Sequence, residues 1–172
     1  NAQPLLVNYS RGEVAVAHNG NLINAALLRK EYEEHGAIFA TTSDTEVIVH
    51  LLAKPGHCDK QNAVAHLLTH LQGAYSLLFL FPDRMVVARD PYGFRPLVLG
   101  RLDGAYVVAS ETCALDLIGA SFERDLDPGE VIVIRRGSSP RSAGRTVGRR
   151  GRHASGASPI SGRLHGRCGR SS

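Results

Sequence analysis

Hydrophobic positions recur every three to four residues across much of 22–71, and every second residue or continuously across much of 74–134. The first spacing predicts helices and the second strands. Across 22–35, Ile23/Leu27 and Leu28/Tyr32 stand at i,i+4 spacing and Gly36 supplies a stop, so a helix is expected there. Ser43-Asp44-Thr45-Glu46 has the form of a capping box ahead of Val47, Ile48, Leu51 and Leu52, and Lys54-Pro55-Gly56 ends that second helix. Val64, Leu67, Leu68 and Leu71 give a third helix its apolar face.

Residues 74–81 are apolar on both faces, the pattern of a central strand covered on each side, and Pro82-Asp83-Arg84 turns the chain into a second strand over 85–88. A hairpin is expected from 96–99 and 105–109 about Leu102-Asp103-Gly104, then a short helix over 112–117 and a last strand over 131–134 after Asp127-Pro128-Gly129. Ahead of the helices, 1–10 reads as a loop with a short extended piece. A strand over 13–18 then runs into Asn19-Gly20-Asn21, read as a tight turn with Asn21 capping the first helix. Helices early and antiparallel strands late favour an α+β layered fold over alternating βαβ units.

Charge divides the chain at residue 134. Residues 1–134 hold ten Lys/Arg against all sixteen Asp/Glu, a net of −6, and 135–172 hold ten Arg and no acid, a net of +10. The first part has the apolar content of one globular domain. The second is mostly Arg, Gly and Ser and is expected to stay disordered. Its bias is that of a GC-rich gene read out of frame. The competing reading is a basic arm that binds nucleic-acid phosphates, although no aromatic residue lies between 135 and 172 to stack on bases. Cys58, Cys113 and Cys168 form no CxxC pair, which argues against a zinc site or a disulfide framework and fits a reducing, cytoplasmic setting. No apolar run of eighteen residues points to a membrane.

Two segments carry candidate chemistry beside the Asn19-Gly20 junction. Asp44 falls in the first turn of a helix, where the macrodipole favours the ionised carboxylate, a natural partner for a substrate ammonium group. The alternative is that Asp44 only charges its own helix. Arg89 and Asp90 open a Pro/Gly loop between strands and are expected to form a buried ion pair that positions neighbouring loops.

Together, His18-Asn19-Gly20-Asn21-Leu22, Thr42-Ser43-Asp44-Thr45-Glu46, Arg89-Asp90-Pro91-Tyr92-Gly93-Phe94-Arg95-Pro96-Leu97 and Ala109-Ser110-Glu111-Thr112-Cys113-Ala114-Leu115-Asp116 resemble the class II glutamine amidotransferase domain over residues 1–134. Asn1-Ala2-Gln3-Pro4 and the 110–116 stretch point to its purine-synthesis branch. The resemblance implies a four-layer αββα sandwich of the N-terminal-nucleophile hydrolase type, incomplete at its amino end. There a cysteine at the mature amino terminus attacks the glutamine side-chain amide, with its own α-amino group as base. By position, Asn19 (side chain) and Gly20 (backbone N–H) match the oxyanion hole, and Asp44 matches the carboxylate that binds the α-ammonium. The implied partners are glutamine and, through a downstream domain, phosphoribosyl pyrophosphate; a homo-oligomer is implied for the longer enzyme.

No cofactor or metal is implied for this chain. Mg²⁺ belongs to the longer enzyme, with an iron–sulfur cluster left open there. The family's nucleophilic cysteine and a carboxylate-binding arginine are expected upstream of Asn1, and the phosphoribosyltransferase domain after residue 134, so the chain reads as a fragment that is inactive alone. Other branches, those forming glucosamine 6-phosphate, asparagine or glutamate, stay open, as does a non-catalytic remnant with a nucleic-acid-binding tail.

Overall fold

The computed structural model describes residues 2–57, 62–135, 137 and 139–145. Its elements in chain order are β1 (Leu5–Tyr9), β2 (Gly12–Leu22), α1 (Ala25–Glu34), α2 (Asp44–Ala53), α3 (Ala63–Leu68), β3 (Gly73–Leu80), β4 (Arg84–Arg89), β5 (Val98–Leu102), β6 (Ala105–Ala109), α4 (Thr112–Leu117), β7 (Ser121–Asp125), β8 (Glu130–Arg135) and β9 (Arg141–Arg145). They build a six-stranded sheet of order β1-β2-β3-β4-β8-β9 and a three-stranded sheet of order β6-β5-β7. Every pairing is antiparallel.

The alternation of side chains along the strands sorts the interior into three apolar layers. Val14, Val16, Tyr75, Leu77, Phe79, Val86, Ala88 and Val131 face Leu28, Val47, Ile48, Leu51, Leu67 and Leu68 of the helices. On the other side of the same sheet, Val87, Ile132 and Ile134 meet Leu97, Leu99 and Leu126. Val98 turns outward from the small sheet onto Leu115 and Ala120. Three apolar layers separate four structural ones, so α1–α3, the large sheet, the small sheet and α4 stack as an αββα sandwich. Strand β3 lies inside the large sheet and is covered on both faces along most of its length, which accounts for a sequence apolar on both faces apart from Ser76.

Several local expectations change. Asn19-Gly20-Asn21 is not a turn: it lies within β2, opposite Ser76, Tyr75 and Ala74. Pairing with β3 overrides the local turn tendency, and Gly20 is needed for another reason. A Cβ on it would lie 2.1 Å from the Ala74 carbonyl oxygen, so the two backbones approach more closely than any side chain allows. The residue at the N-cap of α1 is Asn24, not Asn21, and Asn24 turns its amide to the chain after α3, donating to His70 O and accepting from Gln72 N–H. Of the two apolar pairs expected to face the core from the first helix, Leu28/Tyr32 is buried, whereas Leu27 is exposed and Ile23, also exposed, precedes α1.

Ser43 caps α2 by accepting from Thr45 N–H. Glu46 reaches past the cap and accepts from the Ala40 and Thr41 N–H groups and the Thr41 hydroxyl. The short extended piece expected within 1–10 is strand β1, and strands β7 and β9 add to those expected. Strand β9 pairs with β8 beyond residue 134; Cys58, Cys168 and the basic chain from 146 onward, with its expected disorder, lie outside the described residues. No helix among the described residues is long and apolar enough to cross a membrane.

Candidate functional site

In an antiparallel strand the N–H and C=O of alternate residues point to opposite sides. Ile23 N–H donates to Gln72 O on the β3 side, which sends the backbone groups of 18, 20 and 22 away from β3. Strand β1 pairs with β2 only as far as Leu5 opposite Val16, so beyond Val16 that side of β2 lies open. The Gln3 side chain takes up the first open position, donating to His18 O at 2.8 Å and accepting from His18 N–H at 2.6 Å. Asp44 takes up the third, its Oδ2 accepting from Leu22 N–H at 2.9 Å. The Gly20 N–H lies between them.

Asn19 points to the opposite face and is exposed. Its Nδ2 donates to Ser110 Oγ at 2.9 Å, and its Oδ1 accepts from Arg95 Nη2 at 2.9 Å. These contacts fix the orientation of the amide and leave one of its two N–H bonds uncommitted. Asp44 is half-buried, and its Oδ1 has no partner among the described residues. A carboxylate oxygen, a backbone N–H and an oriented amide N–H are therefore all placed at the end of β2.

Arg89 and Asp90 do not form the expected ion pair. The Asp90 carboxylate is fully buried and accepts from Tyr92, Phe94 and Arg95 N–H at 3.0–3.1 Å. Arg89 donates to the carbonyls of Arg95, Gly93 and Leu126. The loop's backbone offers each charge better-placed partners than the other charge does. Both backbone groups of Arg95 are thereby pinned, its N–H by Asp90 and its carbonyl by Arg89, and its guanidinium is delivered to Asn19. Ser76 on β3 adds a bond to Pro96 O at 2.9 Å.

His18, Arg95, Ser110 and Gln3 are members of this arrangement that sequence reasoning did not single out. His18 is buried with its Nε2 unpartnered among the described residues. Burial lowers its pKa; the nearby Asp44 works against that shift and Arg95 adds to it. A cavity of about 100 Å³ is lined by Gln3, Thr41, Ser43 and Thr45, and Asp44 is not among its lining residues. A larger one of about 530 Å³, bordered by Phe81, Arg84, Arg101 and Tyr106, contains none of the candidate residues.

Residues 1–117 match the family model described as "Glutamine amidotransferase domain". The chain is 55% identical over 136 residues to "Amidophosphoribosyltransferase, chloroplastic" of Glycine max, covering 78% of this chain and 24% of that protein. To "Amidophosphoribosyltransferase" of Bacillus subtilis it is 47% identical over 135 residues, covering 78% and 28%. Among solved structures, the glutamine phosphoribosylpyrophosphate amidotransferase of B. subtilis complexed with ADP and GMP superposes with a TM-score of 0.78 at 45% identity, over 84% of this chain and 32% of that one. The chain thus spans about a quarter of the length of these curated relatives.

Proposed function

The chain belongs to the glutamine amidotransferase domain family, and from that premise we propose that it is the glutamine-binding part of an amidophosphoribosyltransferase, which hydrolyses glutamine to supply ammonia for phosphoribosylamine formation in purine synthesis. The observation that carries this reading is the spacing along the open side of β2. Gly20 N–H and the Asp44 carboxylate, bound at Leu22 N–H, are two residues apart, about 6.7 Å of strand. An extended glutamine spans roughly 5 Å from its α-ammonium to its side-chain carbonyl carbon. A substrate ammonium on Asp44 Oδ1 thus brings the amide carbonyl toward Gly20 and Asn19.

In the proposed reaction a cysteine thiolate adds to the glutamine Cδ and the carbonyl π electrons move onto oxygen. Gly20 N–H and Asn19 Nδ2–H stabilise that oxyanion, ammonia leaves with a proton, and water then hydrolyses the thioester to glutamate. Cys113 is exposed on α4, and Cys58 and Cys168 are also internal to the chain, so none offers an α-amino base. Residues 1–172 alone are accordingly proposed to be inactive, the nucleophile coming from residues outside them. Phosphoribosyl pyrophosphate and Mg²⁺ are assigned to a downstream domain of a homo-oligomeric enzyme. The one metal-capable cluster among the described residues consists of nitrogen donors, which do not suit Mg²⁺. A cytoplasmic setting is proposed on the cysteine usage; the name of the Glycine max relative places that protein in a chloroplast.

Binding tests the reading without requiring turnover. L-glutamine should bind the 172-residue chain, measured by calorimetry, and Asp44→Asn should weaken it about tenfold or more, a loss of about 1.4 kcal/mol. Glutamine binding that is indifferent to Asp44→Asn, or equal affinity for L-glutamine and its des-amino analogue, would overturn the assignment.

A further inference from the structure

The chain after α2 and the end of α3 bring three imidazoles together away from the β2 site. His66 lies on α3 and His70 four residues later, on the same face, while His57 reaches them from the turn after α2. Ring centroids are 4.5 Å apart for His57 and His66, 4.8 Å for His57 and His70, and 5.0 Å for His66 and His70. One ring nitrogen from each lies within 4.8 Å of the other two.

Backbone carbonyls fix the proton on two of these rings. His57 Nδ1 is 3.2 Å from Leu51 O, and His70 Nδ1 is 3.2 Å from His66 O. A carbonyl only accepts, so each Nδ1 carries the hydrogen and each Nε2 keeps its lone pair. This is the arrangement that orients histidine ligands in metal sites. Thr69 agrees with it, since its hydroxyl donates to His66 O at 2.7 Å and its oxygen stands 3.2 Å from His70 Nδ1. The backbone at His70 is held as well, its carbonyl accepting from Asn24 Nδ2 at 2.8 Å.

We propose that His57, His66 and His70 form a binding site for a divalent transition-metal ion, Zn²⁺ first, with water in the fourth position. Three neutral imidazoles suit Zn²⁺, Ni²⁺ or Cu²⁺ and give Mg²⁺ or Ca²⁺ no oxygen ligand. Tetrahedral Zn²⁺ with bonds of about 2.0–2.1 Å holds its nitrogens roughly 3.3 Å apart, so the rings close inward by about 1 Å on binding. His70 is exposed and the other two are partly buried, so small side-chain rotations accomplish this. The ion would clamp the turn after α2 to α3. The cysteine-based sequence reading assigned no metal, because this set contains no cysteine and spans separate elements.

The test uses the full 172-residue chain, stripped with a chelator and titrated with Zn²⁺ against a chromophoric competitor, and with Co²⁺ followed by visible absorption. One equivalent should bind, with a four-coordinate Co²⁺ spectrum and no competition from excess Mg²⁺. Disturbing a supporting contact alone weakens a metal site 10–100-fold, so loss of a ligand in His57→Ala or His70→Ala should raise Kd by about 100-fold or more. His35→Ala, which alters an exposed histidine on the far end of α1, should change nothing. His70→Ala is a surface substitution, and an unchanged far-UV circular dichroism spectrum separates metal loss from unfolding. No binding by the parent chain, or Zn²⁺ affinity unchanged in His57→Ala and His70→Ala, would overturn the site.

Discussion

The end of β2 and the loop joining β4 to β5 meet at one hydrogen bond, between Arg95 and Asn19, and they are built in opposite ways. In the loop, a fully buried carboxylate and a guanidinium are each held by three backbone groups of the same few residues or of Leu126. At the end of β2, the Gly20 N–H, one Asn19 N–H and Asp44 Oδ1 are held in place but left without partners among the described residues. Those bonds fix the loop's backbone at Arg95, and through Arg95 they orient the Asn19 amide on β2. A ligand meeting that amide does not first have to order it, which is the condition for electrostatic stabilisation of a developing charge.

The contrast breaks most sharply at Asp90. Asp90→Ala removes a fully buried carboxylate and takes the acceptor from three loop N–H groups, each costing about 1–3 kcal/mol where water does not replace it, so chemical denaturation should show a loss of about 3 kcal/mol or more. A loss below about 1 kcal/mol would mean that the loop does not depend on its carboxylate. Asn19→Ala probes the other side and should separate activity from stability. In an enzyme carrying its nucleophile it should lower kcat by about 10²–10³, worth roughly 2.7–4 kcal/mol of barrier. Its unfolding free energy should change by less than about 1 kcal/mol, because the side chain is exposed. Equal losses in both measurements would make Asn19 a structural residue like Asp90.

The smallest effect is a pH slope. Burial lowers the His18 pKa in the folded chain, Asp44 partly opposing and Arg95 assisting. Near pH 6.5 and below, the unfolded chain takes up a proton that the folded one resists. Stability is therefore complete above that range and declines as pH falls through it. His18→Gln should flatten the dependence of the urea midpoint between pH 7.5 and 5.5, leaving the residual slope of His57, which burial also lowers. An identical slope in the variant would remove His18 from the account.

Much of this architecture was legible in the sequence because it is locally encoded. The Ser43 cap, the short helix α4 and the hairpin about Asp103-Gly104 follow from side chains acting within a few residues of themselves. Asn19-Gly20-Asn21 was misread because Asn-Gly favours a turn only until a partner strand is present, and the partner lies more than fifty residues away. Strand β7, Ser-Phe-Glu-Arg-Asp, has no buried alternation, its Phe122 being half exposed, and it gave no periodic signal. At the candidate site, motif resemblance is what pointed to Asn19, Gly20 and Asp44, and their common placement at one end of β2 follows from the fold. Arg95 and Ser110 were not singled out, since an arginine and a serine have many uses on a surface and only tertiary placement joins them to Asn19. The pairing of Arg89 with Asp90 failed for a related reason: adjacent opposite charges suggest each other, whereas backbone groups make no mark on a sequence.

The distance along the chain between the members of this site also sets a clock. Asn19 bonds to Arg95 across 76 residues and to Ser110 across 91. On a ribosome adding about 5–20 residues per second, Ser110 is made roughly 5–20 s after Asn19. During most of that interval β2 exists as a nascent segment whose partner β3 has not been synthesised. The Asn19 amide is written into the polypeptide early and acquires its orientation late, when the small sheet closes over the large one.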